Sequence, residues 1–239
     1  MSKILEAMRK VASDPEGIFR LEAFDEVQLF PAPAERVGAE FAQLANSLVG
    51  RLDDGPGALG QVYVFASTMA GEGSSYVSYN VARILGQVLE RRVAWVDGNF
   101  NTPQPKLEGR GIDLRSLLLE PALLSAETSR SGLTLIGNGT RRIKATELLA
   151  SPQYLELLEN FRRTFALTII DAPPVLESLE VAHLAAPTQG LILVVQSRRL
   201  KHEVIRHGIE KLGSYDIPLI GTVLNKRIFD IPEVIYRRI

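Results

Sequence analysis

The residues with the clearest chemical use stand in one loop and at two strand ends. The loop reads Phe65-Ala-Ser-Thr-Met-Ala-Gly-Glu-Gly-Ser-Ser75, between a strand-like run and a run of helical period. Gly71 and Gly73 let the backbone wrap an anion. Amides at the start of the following helix point inward, and the helix dipole favours negative charge. A phosphate-binding loop of this kind ends Gly-Lys-Ser/Thr, the lysine meeting the β and γ phosphates and the hydroxyl meeting Mg²⁺. Here Ser74 takes the lysine position and Ser75 the hydroxyl position. Tyr76 stands where a dinucleotide fingerprint needs its third glycine. No Gly-x-Ser-x-Gly elbow is present, so Ser74 and Ser75 are poor nucleophile candidates. Two carboxylates complete the set, Asp97 in Trp95-Val-Asp-Gly-Asn99 and Asp171 in Thr168-Ile-Ile-Asp-Ala-Pro-Pro174. At the C-terminal ends of parallel strands such groups sit beside a phosphate loop and hold Mg²⁺ directly or through water. A glycine turn or a strand-end Asp alone reads as a turn or a cap. Three such signals in this order read as a nucleotide site.

The elements that must position them alternate. Gln61 to Ala66, Arg92 to Val96, Leu133 to Ile136, Leu167 to Ile170, Leu191 to Gln196 and Leu219 to Leu224 read as strands, several apolar at nearly every position. Such runs fit parallel strands covered on both faces. Ser75 to Glu90 and Leu200 to Leu212 carry apolar residues at helical spacing. The alternation predicts right-handed crossovers and a doubly wound α/β sheet, with strand order left open. Residues 1–57 differ, with helical stretches over Lys3 to Val11 and Ala34 to Leu52. Val37, Phe41, Leu44 and Leu48 form a stripe on the second. The expected organisation is a helical extension, 1–57, and one α/β domain, 58–239.

Composition narrows the function classes. The chain has 239 residues, no cysteine and a net charge of -1, which excludes disulfides, thiol catalysis and thiolate metal sites. Near-neutral charge argues against nucleic acid as a partner. No apolar run approaches the roughly 18 residues of a membrane span. Met1 to Lys10 carries Glu6 and does not resemble a signal peptide. A cytoplasmic protein is expected, recruited to a membrane only through a partner. His183, His202 and His207 are too scattered for a metal site. The basic groups Arg141 to Lys144 and Arg198 to His202 read as solvated loops or helix starts, and the tail Ile231 to Ile239 as packing on its own domain.

From about Ala39 to Lys226 the sequence resembles the cytosolic ATPase domain of bacterial tyrosine kinases and their polysaccharide-copolymerase relatives, within the MinD/ParA-like P-loop ATPases. Ser67 to Ala82 lies over the family's Walker A, S-x-x-P-G-E-G-K-S-T-x-x-x-N-L-A. Val96 to Pro103 lies over its second acidic motif, I-D-A-D-L-R-x-P. Thr146 to Ser151 resembles the segment before Walker B, Ile169 to Pro174 is the Walker B match, and Gly221 to Lys226 resembles the strand whose Asn faces adenine. The resemblance implies a P-loop NTPase-like fold and a nucleotide site of Gly71, Glu72, Gly73, Ser74, Ser75, Tyr76 and Asn225. It implies Ser75, Asp97 and Asp171 as Mg²⁺ ligands, with Asp97 and Asp171 catalytic if the protein is active.

The departures are as informative. Ser74 replaces the Walker A lysine, Tyr76 its threonine, Asn99 the second aspartate and Asn101 the arginine. Gln43 and Asn46 replace both arginines of the E-x-x-R-x-x-R helix used for ring assembly, so a homo-oligomeric ring is doubtful. Only Tyr236 stands where kinases carry a tyrosine cluster. Lys106 or Lys144 could fill the missing charge. ATP or ADP with Mg²⁺ is the candidate cofactor, and retention of the loop for structure alone is the alternative. The expectation is a degenerate kinase with weak or no phosphoryl transfer. It would be an accessory of exopolysaccharide, capsule or holdfast synthesis and export, on the cytosolic face of a membrane polysaccharide copolymerase that regulates chain length. The alternatives are an active Mg-ATP-dependent tyrosine kinase or ATPase of the same system, and a MinD/ParA-type positioning ATPase.

Overall fold

The computed structural model describes residues 29–31, 33, 35–53, 55, 57–89, 92–107, 112–126, 132–140 and 144–227. The helix expected over Lys3 to Val11 and the tail from Ile231 lie outside these residues, as do Tyr236 and Arg141 to Ile143. Six strands form one parallel sheet: β1 (Gln61–Ser67), β2 (Val93–Asp97), β3 (Leu133–Ile136), β4 (Leu167–Asp171), β5 (Gly190–Gln196) and β6 (Leu219–Asn225). Their spatial order is β3-β2-β4-β1-β5-β6. The helices are α1 (Glu35–Val49), α2 (Ser74–Val88), α3 (Leu114–Leu119), α4 (Ala145–Leu149), α5 (Pro152–Thr164), α6 (Glu180–Ala185) and α7 (His202–Ser214).

Two-residue periodicity inside buried strands divides the core into two layers. Tyr63, Phe65, Trp95 and Ile169 face α1 and α2. Val62, Val64, Ala94, Val96 and Ile170 face α3, α5 and α6. This explains why β2 and β4 read as continuous apolar runs, since every side chain along them is buried in one layer or the other, whereas the edge strand β6 leaves Leu219 and Leu224 exposed. Trp95 is fully buried, and its indole N–H donates to Ser78 Oγ at 3.0 Å, so α2 is keyed to β2 by a polar contact inside an apolar layer.

The described part of the 1–57 extension shares this core. Phe41, Ala42, Ala45, Leu48 and Val49 of α1 are buried against α2. Burying a Phe or Leu side chain contributes about 1.5–3 kcal/mol. Of the predicted stripe, Phe41 and Leu48 are core, Leu44 is half-buried, and Val37 is exposed.

The site is placed by topology. β1 and β4 are neighbours in register, Phe65 opposite Asp171. The chain leaves β1 for α2 on one face and leaves β4 for α6 on the other. Connections diverging from adjacent strands leave a crevice at their C-terminal ends, where open α/β sheets bind ligands. No helix among the described residues is long and apolar enough to cross a membrane.

Candidate functional site

The loop from Thr68 to Gly73 runs from β1 into α2 across that crevice. Gly71 and Gly73 have φ of 84° and 94°. This left-handed region strains any side chain. A Cβ on Gly73 would also lie 2.4 Å from Asn225 Nδ2. Ser74, Ser75 and Tyr76 form the first turn of the 15-residue α2, where backbone amides lack intrahelical partners.

The carboxylate of Glu72 holds the loop rather than facing a ligand. It is wholly buried. One oxygen accepts from Met69 N at 2.8 Å, the other from Gln196 N at 2.9 Å. Asn225 Nδ2 donates to Glu72 O at 2.8 Å, and Glu177 accepts from Ala70 N at 2.6 Å. Of the side chains expected to bind nucleotide, Glu72 thus ties the loop at Met69 to the end of β5, and Asn225 donates to the loop backbone from the edge of the groove it lines.

The two aspartates are partners across β2 and β4. Asp97 is buried and its oxygens accept from Asn99 N at 3.1 Å and Gln104 N at 2.7 Å. Burial pushes its pKa up to about 6, partly opposed by those amides and by Arg115. Asn99, in place of an aspartate, accepts from Asn101 N and Thr102 N and so folds the same turn. Asp171 is pushed further, to about 8, chiefly by burial, with Asp97 adding to the rise. The hydroxyls of Ser75, Ser74 and Ser78 act the other way. Its Oδ1 has no hydrogen-bond partner. A buried acceptor left over beside Ser75, with a second carboxylate near, suits a hard cation with oxygen ligands. Asp171 and Ser75 fit that role best, since Asp97 already accepts two amides. Among the described residues no three His, Cys, Asp or Glu side chains cluster as a metal site, here or elsewhere.

A cavity of about 290 Å³ opens over the loop, lined by Ser67, Gly71, Gly73, Ser74, Ser75, Asn99, Asn101, Thr102, Pro174 and Glu177 among others. Among the described residues no basic side chain lines it. Tyr76 and Asn225 instead line a neighbouring groove of about 670 Å³ between α1 and β6, which meets the first at Gly73. The Tyr76 ring is packed edge-on against Phe30 and Phe41.

The cations expected to fill the gap are elsewhere. Lys106 donates to Leu29 O at 3.0 Å, and Lys144 pairs with Glu147 on the surface. Two residues that sequence reasoning passed over meet the loop instead. Arg199, in a group read as a solvated loop or helix start, has its guanidinium 2.9 Å from where a Cβ at Gly71 would stand. Lys226 Nζ donates to Gly71 O at 2.9 Å. Both are distant in sequence, and no local pattern marks them.

With this geometry in place, the relatives become informative. EpsB of Ralstonia nicotianae is 30% identical over 168 residues, covering 68% of this chain and 22% of EpsB. The chain thus spans about a fifth of that relative's length. The tyrosine-protein kinase CpsD of Streptococcus agalactiae is 25% identical over 177 residues, 70% of this chain and 75% of CpsD. The homologues of this chain are bacterial tyrosine-protein kinases. The succinoglycan biosynthesis transport protein ExoP of Rhizobium meliloti is 25% identical over 184 residues, 71% of this chain and 23% of ExoP. The VpsO kinase domain superposes with a TM-score of 0.63 at 26% identity, covering 71% of this chain and 86% of that one. The fold extends to MinD of Pyrococcus horikoshii, solved with Mg-ADP, at a TM-score of 0.55 and 20% identity over 75% of this chain and 77% of MinD. No family model matches the chain.

Proposed function

We propose that this chain is a degenerate kinase domain acting as a scaffold or nucleotide-responsive switch in bacterial exopolysaccharide, capsule or holdfast synthesis and export. Its partner would be the cytosolic face of a membrane polysaccharide copolymerase, and its place the cytoplasm beside the inner membrane. The polysaccharide assignment rests on the name of a relative, the succinoglycan biosynthesis transport protein.

The observation that carries the degenerate reading is the lining of the cavity over Gly71 to Ser75. Among the described residues it presents hydroxyls, amides and Glu177, and no cation. Phosphoryl transfer depends on positioning and on neutralising charge at the phosphates. Ser74 does neither as a lysine would. What the chain retains is a binding apparatus. Amides of the loop and of the first turn of α2 would cradle phosphates. Ser75 Oγ and Asp171 would hold Mg²⁺, with Asp97 acting through the turn it organises. A base would lie along the groove at Tyr76 and Asn225. Bound Mg²⁺ would neutralise part of the phosphate charge. Asn99, being an amide, takes no proton from an attacking hydroxyl. The retained Asp97–Asp171 pair is what favours the second reading, an active Mg-ATP enzyme.

Calorimetric titration with Mg-ATP and Mg-ADP, followed by a hydrolysis assay, separates the two. The native protein should turn over at background. Ser74→Lys should bind about 10- to 100-fold more tightly, the equivalent of a charge-assisted hydrogen bond of roughly 1.5–3 kcal/mol. Turnover by the native protein at about 1 per second or faster, the range of working kinases, would overturn the degenerate reading. The exposed Gln43 on α1, where ring-forming relatives would carry arginine, gives a further expectation. Light scattering should show no stable octamer.

A further inference from the structure

We propose that Arg199 and Lys226 supply, from outside the phosphate loop, the positive charge that Ser74 does not supply from inside, making the loop a diphosphate-binding site with a transposed cation. This rests on the nucleotide-responsive reading above and names the residues that would sustain it.

The two residues come from adjacent turns, one after β5 and one at the end of β6. The turns are tied together, Ser197 N donating to Asn225 O and Lys226 Nζ to Gln196 Oε1. Each holds a non-glycine residue left-handed, Arg198 at φ 59° and Lys226 at φ 52°. Such conformations persist only where the surroundings fix them. The result is that both cations meet Gly71, the guanidinium of Arg199 against its Cα and the ammonium of Lys226 on its carbonyl. Neither forms an ion pair with a carboxylate among the described residues. Two cations with no carboxylate partner among the described residues thus converge on one glycine.

The geometry also shows how charge outside the loop reaches a ligand inside it. Lys226 bonds to the Gly71 carbonyl, so it polarises the peptide joining Gly71 to Glu72. That makes the amide on the other end of the same peptide a stronger donor to an anion. Arg199 acts by direct attraction through a wall one residue thick. Gly71 is required for this, because any side chain there would displace the guanidinium. An independent feature points to a ligand with a bound cation: Asp171 Oδ1, buried and unpartnered beneath the same loop. The ligand class is therefore a diphosphate carried with Mg²⁺, whether on a nucleoside or as inorganic pyrophosphate.

The test is calorimetric titration of the full chain with Mg-ADP and, separately, Mg-pyrophosphate, at several salt concentrations. The variants are Arg199→Gln, Lys226→Gln, the double variant, and the double variant carrying Ser74→Lys. The double variant should bind about tenfold more weakly with a shallower salt dependence, as loss of two charges demands. Ser74→Lys should restore binding in that background, which a merely structural role for the pair would not allow. Arg199→Lys should keep most of the affinity. Equal loss for both ligands identifies the diphosphate as the recognised group; loss for Mg-ADP alone assigns the charge to nucleotide. Native binding that the double variant leaves unchanged, a loss that Ser74→Lys fails to restore, or no binding of either ligand by the native protein each overturns the proposal. None of these bears on native turnover, the measurement that decides the degenerate reading.

Discussion

On the inner side of the turn from Gly71 to Ser75 stand hydroxyls, amides and, beneath them, the buried carboxylates of Asp97 and Asp171. On its outer side stand Lys226 and Arg199, hydrogen-bonded to or packed against Gly71, with Asn225 bonded to Glu72 O. Among the described residues, the inner side gathers carboxyl groups and the cavity lining there contributes no Lys or Arg, whereas Lys226 and Arg199 on the outer side form no ion pair with a carboxylate. A loop only one residue thick separates them. The contrast shows that the shape of this loop is held chiefly by groups other than those lining its cavity. Here Glu72, Glu177, Asn225 and Lys226 hold the backbone with bonds that need no bound phosphate.

The inner wall gives the largest expected effect. Asp171 folds with a pKa raised to about 8 against an ordinary 3.8, so between these values the folded protein holds a proton that the unfolded chain has released. Stability of the Mg²⁺-free protein should therefore be greatest near pH 4, fall as pH rises, and level off above about 8. Asp97, raised to about 6, adds to the lower part of that slope. Asp171→Asn should flatten the profile and stabilise the protein at pH 8.5 by on the order of several kcal/mol. Urea unfolding across pH measures it, and a native profile that rises toward pH 8 would show that the pair is compensated.

Next comes the brace between the walls. Glu72→Ala leaves the amides of Met69 and Gln196 without their acceptor and should cost about 3 kcal/mol, read as a lowered urea midpoint. If the variant unfolds like the native protein, the loop is not held by its own side chains. Gly73→Ala puts a Cβ into a left-handed position and against Asn225, and should cost about 1–3 kcal/mol in the same assay. The outer wall should matter least to folding. Lys226→Ala removes one exposed hydrogen-bonding cation and should change stability by about 1 kcal/mol or less. A larger loss would make Lys226 a structural bolt.

Much of this was legible in the chain itself, for local reasons. Leu167 to Ile170 read as a buried strand because β-branched and apolar residues fill it, and β4 differs by one residue. Gly71 and Gly73 announced a loop that only glycine can form, and both have positive φ. Ser74 in the lysine position was visible at once. Other features were invisible because they join distant parts of the chain. Lys226 lies 155 residues from Gly71, and the bond between Glu72 and Gln196 spans 124. Lys106 and Lys144 were reasonable substitutes for a missing lysine until the fold occupied them with Leu29 and Glu147. The burial of α1 was equally hidden, since an apolar stripe does not say whether its own sheet or another protomer covers it.

The sequence by itself determined the alternation of strand and helix, the loop, the two carboxylates and the absence of the loop's lysine, all of them encoded by residue type and short spacing. Only the tertiary structure decided the strand order, which of the two aspartates keeps an oxygen without a hydrogen bond, and which cations meet the loop. Those depend on which backbone amides and side chains reach the same point. That is set by packing β2 beside β4, and β5 between β1 and β6, and no pattern within any one of those strands contains it.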